Sequence, residues 1–561
     1  MPLLINARRA VLLTLSLLTG CAAADPSPRA DRMVEPSAAY GNFLAGRFAL
    51  HQGDFNTAAG DLLRALAADP GDPELLLQTF IACVNAGRPE AVRLAEALPT
   101  NQIAQIVLGN AAAKSGDWKL AVERFRAVPR DGVMQLLQPL LLAWTSQGLG
   151  ATDQALATLR PMLDNPRFRP LFAQHAGMIA ELAGRMPDAA AYYQTAAGDA
   201  GGQSPRTAMI LASWAARSGQ MGEAETILAR LAAATPELSI ALPGLLATVR
   251  QKPVTRALDG LAEAYTTFAA ALQGQQTSDF AMVMTRLALD MKPDSATALM
   301  LAADIQANAK HMDAALGLLD QAAATREPIA PLVRLRRIAI LQRMERTDDA
   351  IRAVEQLGRD YPDSPLPDIT LGELLRSKQR YAEAVTAYDR VIARVKQPMQ
   401  GDWILYYSRG VAYERAGQWS RAEADFHQAL ALSPDQPSVL NYLGYAWADM
   451  GRNLGKAQDM IQRAAARRPN DAAITDSLGW VMFRQGKIGE ATKLLERAVS
   501  LEPVDPTITD HLGDVYWAGG RKIEAYYQWR RALTLNPTSG DAAKLESKIK
   551  SHPFGALASG K

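Results

Sequence analysis

Small, bulky and polar positions return along this chain in a long, fixed register. The glycines Gly410, Gly444, Gly479 and Gly513 are spaced by 34, 35 and 34 residues, and the prolines Pro434, Pro469, Pro503 and Pro537 by 35, 34 and 34. Between these markers like residues stand at like places. The unit beginning at Trp403 carries Gly410, Tyr413, Ala422, Phe426, Ala429 and Pro434. The unit from Ala472 carries Gly479, Met482, Gly486, Ala491, Leu495, Ala498 and Pro503, and the unit from Pro506 carries Gly513, Tyr516, Gly520, Ala525, Trp529, Ala532 and Pro537. This spacing predicts two helices per unit. Glycine at the eighth position lets the second helix cross closely, and the later alanine accepts that contact. Bulky residues at the eleventh and twenty-fourth positions fill the space between hairpins. Glycine at the fifteenth position ends the first helix in the left-handed conformation, and proline ends the second helix and opens the next.

The same register runs upstream with more wear, through Gly46, Gly53, Ala58 and Leu62, then Gly109, Gly116, Ala121 and Phe125, then Gly177, Gly184, Ala189 and Tyr193. A repeat of this length marks a stacked array. The pattern resembles the tetratricopeptide repeat (TPR), most strongly over 403–539. The resemblance implies an all-α superhelical solenoid of about 13–14 helix-turn-helix hairpins, some of them degenerate. The stretch 238–261 breaks the register with Pro243 and Pro253, and reads either as a boundary between two arrays or as a worn repeat. The organisation expected is therefore a divergent array over 38–237, the irregular segment 238–261, a middle array over 262–402, the well-matched units 403–539, and a polar-faced capping helix with tail over 540–561.

The N-terminus follows a different pattern. Residues 1–20 hold a short segment ending in Arg8-Arg9, an apolar run over 10–18, and then Leu18-Thr19-Gly20-Cys21. The run is too short to span a bilayer and suits a secretory signal peptide. Its end resembles the bacterial lipobox, which implies cleavage before Cys21, lipidation of that thiol, and, with Ala22 rather than Asp following, sorting to the outer membrane. Several acyl chains on one cysteine anchor stably. Residues 21–37 then form a polar, proline-bearing tether. An acylated Cys21 leaves Cys83 without a disulfide partner, a small apolar residue of a core helix.

Composition narrows the function. The chain of 561 residues carries 60 Lys and Arg against 58 Asp and Glu, and removal of Arg8 and Arg9 leaves the two signs in balance. Without a basic surface, nucleic acid is excluded as the expected partner. The six histidines are scattered, with no HExxH, no paired Cys/His ligands and no nucleophile or dinucleotide motif. The expectation is a protein that is not an enzyme and uses neither metal nor cofactor.

In the resembled fold the first helices line a concave face. The positions projecting there are Tyr407 in one unit, Asn441 and Tyr445 in the next, Asp476, Trp480 and Phe483 in the third, and Asp510, Asp514 and Trp517 in the last. Aromatic rings interleaved with amides and carboxylates suit an extended peptide, and these nine residues are the candidate peptide-binding groove. Trp480 and Trp517 fit either the groove or the core between hairpins. The Lys/Asn carboxylate clamp of chaperone-binding TPR domains is missing, its places taken by Tyr407, Asn441, Asp476 and Asp510.

The runs VLNYLGYAWADMG (439–451), DSLGWVMFRQGK (476–487) and DHLGDVYWAGGR (510–521) are similar to those of large bacterial outer-membrane TPR lipoproteins. Some of that family are adaptors of periplasmic carboxy-terminal processing proteases. The resemblance implies a non-catalytic scaffold, anchored in the outer membrane and facing the periplasm. Its partners would be periplasmic or envelope proteins, a processing protease and cell-wall hydrolases among them. The other reading left open is an assembly factor for an outer-membrane or secretion complex.

Overall fold

The computed structural model describes residues 36–198, 204–272, 278–325 and 327–552. Cys21, the signal segment and the tether up to residue 35 lie outside the described residues. Among those described there are thirty α-helices and no strand. In chain order, thirteen pairs of consecutive helices pack as hairpins, and Pro73–Ala86, Glu90–Glu96, the short helix Leu242–Thr248 and the terminal helix Ser539–Ser551 stand outside these pairs. The fold is an all-α array of TPR-type hairpins.

The chain divides into two compact units, Met1–Leu94 and Ala95–Lys561. In the first, helices Pro36–His51 and Phe55–Ala68 form a hairpin, followed by Pro73–Ala86. Asp54 and Asp72 begin the second and third helices, each carboxylate accepting backbone N–H groups of the first turn. Leu62, Phe80 and Cys83 are fully buried between them. Burial pushes the Cys83 thiol up to about 11, so it stays protonated and packs as a small apolar residue.

In the second unit the local rules hold from hairpin to hairpin. Gly417, Gly451, Gly486 and Gly520, the fifteenth-position glycines, have φ between 69° and 81° and close their helices left-handed. At the eighth position, a Cβ added to Gly410 would lie 2.8 Å from the Phe426 ring, so only glycine admits the second helix at that distance.

The irregular segment 238–261 lies inside this unit and is packed. A 3-10 turn, Pro236–Ile240, leads into Leu242–Thr248, and Leu238 and Val249 share a core with Leu228, Leu231 and Leu332. The segment returns the chain so that the next helix, Ala257–Leu272, lies across the first helices of earlier hairpins, Met134–Gly148 and Arg169–Leu182. Gly260 seats directly on Trp144, where a Cβ would stand 2.2 Å from the indole. The Tyr265 hydroxyl donates to Asn110 Oδ1 at 2.7 Å, Arg206 holds Glu263 through three hydrogen bonds of 2.9, 3.1 and 2.7 Å, and Lys114 pairs with Asp290 at 2.5 Å. The chain's own helix thus fills this stretch of the N-terminal concave face.

Candidate protein-binding groove

The last four hairpins open with Trp403–Arg415, Pro437–Asp449, Ala472–Arg484 and Pro506–Ala518. The second of these first helices packs against the third, and the third against the fourth, so they form one continuous wall. Asp471 and Asp505 cap the third and fourth, accepting N–H bonds from Ile474 and from Thr507 and Ile508. The caps fix where each helix starts, and therefore which face carries the residues one and two turns later.

Four of the expected residues come together around one that sequence reasoning passed over. His511 Nδ1 lies 2.9 and 3.0 Å from the two oxygens of Asp476. Trp480 stacks on the other side of the imidazole with ring centres 4.1 Å apart, Phe483 lies 5.2 Å from Trp480, and Tyr445 lies 6.1 Å from His511. Burial works against a charge on His511. The adjacent Asp476, with Asp510 and Asp514 behind it, outweighs burial and raises the imidazole pKa. Asp476 is buried in this pair, deeper than its place among the residues expected to project onto the concave face. Trp480 is 8 % exposed and belongs to the layer between hairpins, forming the floor of the face. Tyr445 and Phe483 are half-buried and remain open to the concave side.

Asp510, Asp514 and Trp517 form a second group, closed by the terminal helix. Lys548 Nζ sits 2.7 Å from Asp510 and 2.7 and 2.8 Å from the two oxygens of Asp514. Trp529 also donates its indole N–H to Asp514 at 3.0 Å, and Trp517 stacks on His552 at 4.0 Å. Burial and the neighbouring Asp514 raise the Asp510 carboxyl, with Lys548 acting in the other direction. These carboxylates therefore have a partner within the chain.

Tyr407 stands apart. It is half-buried among Trp403, Phe426 and Tyr442, at 6.0, 6.1 and 5.8 Å, in an aromatic cluster between hairpins. Asn441 is half-buried, and its Oδ1 has no hydrogen-bond partner; neither does the buried Nε1 of Trp480. His511 could have been found from the register. It follows Asp476 by 35 residues, one repeat plus one position, which puts the two on facing first helices. Lys548 had no such signal, because the terminal helix lies outside the repeat.

Residues 403–436 match a family model described as tetratricopeptide repeat, and residues 29–73 and 336–398 match a second model of the same description. These segments are tetratricopeptide repeats. A TPR repeat-containing protein of Pseudomonas aeruginosa is 28% identical over 155 residues, which is 28% of this chain and 26% of that protein. The match thus spans about a quarter of the length of that relative. Among solved structures, the Cut9–Hcn1 hetero-tetramer of the APC/C aligns over 90% of this chain and 95% of the matched chain, at 16% identity and a TM-score of 0.37. Yeast Tom70 aligns over 80% of this chain and 95% of its own, at 14% identity and a TM-score of 0.35. A TPR array is a scaffold for protein–protein interaction. Among the described residues no group of three or more His, Cys, Asp or Glu is placed to hold a metal, and no helix is long and apolar enough to cross a membrane.

Proposed function

We propose that this chain is a non-catalytic adaptor, anchored in the outer membrane through Cys21, whose C-terminal TPR face captures segments of envelope proteins. The observation that carries the binding part is the wall around His511. Half-buried rings at Tyr445 and Phe483 stand on neighbouring first helices of one wall, with half-buried Asn441 one turn before Tyr445 on the same helix. An extended peptide is the complement of such a face, since every residue brings one backbone N–H and one C=O to polar side chains such as Asn441. Apolar side chains of that peptide would cover the rings. The anchor rests on the lipobox. The choice of a carboxy-terminal processing protease and cell-wall hydrolases as partners rests on the family resemblance.

A photo-crosslinking residue at position 445, followed by recovery from membranes, tests the reading. The expected products are adducts with an envelope protease or a wall hydrolase that vanish in an Asn441→Ala background. Adducts confined to components of one assembled complex would replace the adaptor with the assembly factor. No specific adduct at all would remove the groove.

A further inference from the structure

The first helix of the first unit, Pro36–His51, reads PSAAYGNFLAGRFALH and contains no Asp or Glu. One face is used. Gly46 and Ala49 are buried, and Gly46 lies where a Cβ would meet Leu62 at 2.7 Å. The opposite face carries Tyr40, Leu44 and Phe48, four residues apart and therefore in one line along the helix. They are 74, 64 and 67 % exposed, and exposed Gly41, Ala45 and Arg47 flank them. A helix that is apolar on every face belongs in a buried place, and the first element of a helical array needs a polar outer face if water is to cover it.

We infer that the Tyr40–Leu44–Phe48 face of the first helix docks on the lipid surface beside the anchor. This extends the anchored reading of the chain, on which the tether argument depends. Only residues 22–35 separate Cys21 from this helix, and fourteen residues reach at most about 50 Å fully extended. A lipidated Cys21 therefore keeps the helix within reach of the bilayer. The same fourteen residues, AAADPSPRADRMVE, are too polar to cover three large apolar side chains themselves. The charge pattern suits a lipid interface. With no acidic side chain on the helix and Arg47 at the edge of the apolar line, the helix itself offers anionic headgroups attraction and no repulsion. Two rings and one branched chain in line are enough to enter the headgroup boundary, and a covalent anchor needs such a second contact less for affinity than for orientation.

The test uses the full mature chain with Cys21→Ser, so that no acyl group contributes, sedimented with vesicles of phosphatidylethanolamine and phosphatidylglycerol. The chain is expected to partition onto the vesicles, and Leu44→Glu is expected to lower the partition at least tenfold. Leu44 is exposed, so that variant keeps its melting temperature. Tyr445→Ala, far along the sequence, is expected to partition like the parent. A parent chain that stays in the supernatant overturns the inference. So does a Leu44→Glu chain that partitions unchanged, or a parent that self-associates through this face and then ignores vesicles. Failure of the anchor is read separately, by the absence of acyl groups on wild-type Cys21 in a mass spectrum of the purified protein.

Discussion

The two concave faces of the second unit are built from the same kind of hairpin and end up opposite in use. Over 102–217 the face is filled by helix Ala257–Leu272, with Trp144, Asn110 and Arg206 all engaged by Gly260, Tyr265 and Glu263. Over 437–518 the face is paved by side chains: the Trp480–His511–Asp476 stack with Tyr445 above it. The difference lies in a few residues. Gly260 allows a helix to approach an indole that would otherwise stand in its way, whereas the C-terminal wall presents bulky rings at the corresponding depth. A repeat register fixes hairpins and leaves the contents of their groove to non-periodic residues.

The largest effect should come from removing the floor of the filled face. Trp144 is fully buried, and Trp144→Ala is expected to cost about 3–5 kcal/mol of stability. Amide exchange within 257–272 should rise with it while 437–449 keeps its protection; equal loosening of both stretches would show that the two faces are not independent. Next comes Glu263→Gln. It strands the Arg206 guanidinium, and because that side chain is 30% exposed, solvent relieves part of the penalty, leaving about 2 kcal/mol by urea unfolding.

The two buried histidines should separate the faces by pH. His175 accepts the Trp144 indole N–H at 3.1 Å, and burial lowers its pKa from 6.5 to about 4 despite nearby Glu263. Unfolding lets it take up a proton, so stability is lost as pH falls from about 6.5 through 4, by as much as about 3 kcal/mol. The His511 pKa is raised instead, so its contribution is complete below the unfolded value of 6.5 and is lost as pH rises through the folded one. A His175→Asn chain is expected to resist mild acid better than the parent, and a His511→Asn chain to gain nothing from it. Two identical pH profiles would erase the distinction. The smallest effect on stability is expected from Tyr445→Ala, about 1 kcal/mol, since the ring is half-buried. Its loss should instead appear in peptide binding, by about 1–4 kcal/mol if the ring is central. A fall in melting temperature as large as that of Trp144→Ala would move Tyr445 into the core.

Hairpins were legible in the sequence because their cause is local and periodic. Gly410 against Phe426, and the left-handed Gly417 and Gly486, follow from one helix crossing another at a fixed spacing. The return of helix Ala257–Leu272 onto Trp144 was not legible, because nothing in a 34-residue register distinguishes the next hairpin in line from one that turns back. The broken stretch with Pro243 and Pro253 marked the place and not the direction. In the groove, positions five and nine located Asp476, Trp480 and Tyr445, but their burial depended on His511 from the following unit. Tyr407 was misplaced in depth for the same reason: its neighbours Phe426 and Tyr442 come from a second helix and from the next hairpin.

The hydrogen bond from Tyr265 to Asn110 joins residues 155 positions apart, in an array whose other contacts are mostly between neighbours. During synthesis, the hairpins from 102 to 182 therefore emerge with an apolar trough and no helix to fill it. At roughly 5–20 residues per second, that trough stays open for on the order of ten seconds before residue 265 arrives. Over that interval a nascent chain is exposed to any amphipathic helix nearby, including the same segment of another copy, and exchange of residues 257–291 between two chains becomes the natural misfolding route. Chaperone demand in this protein should fall on its first half.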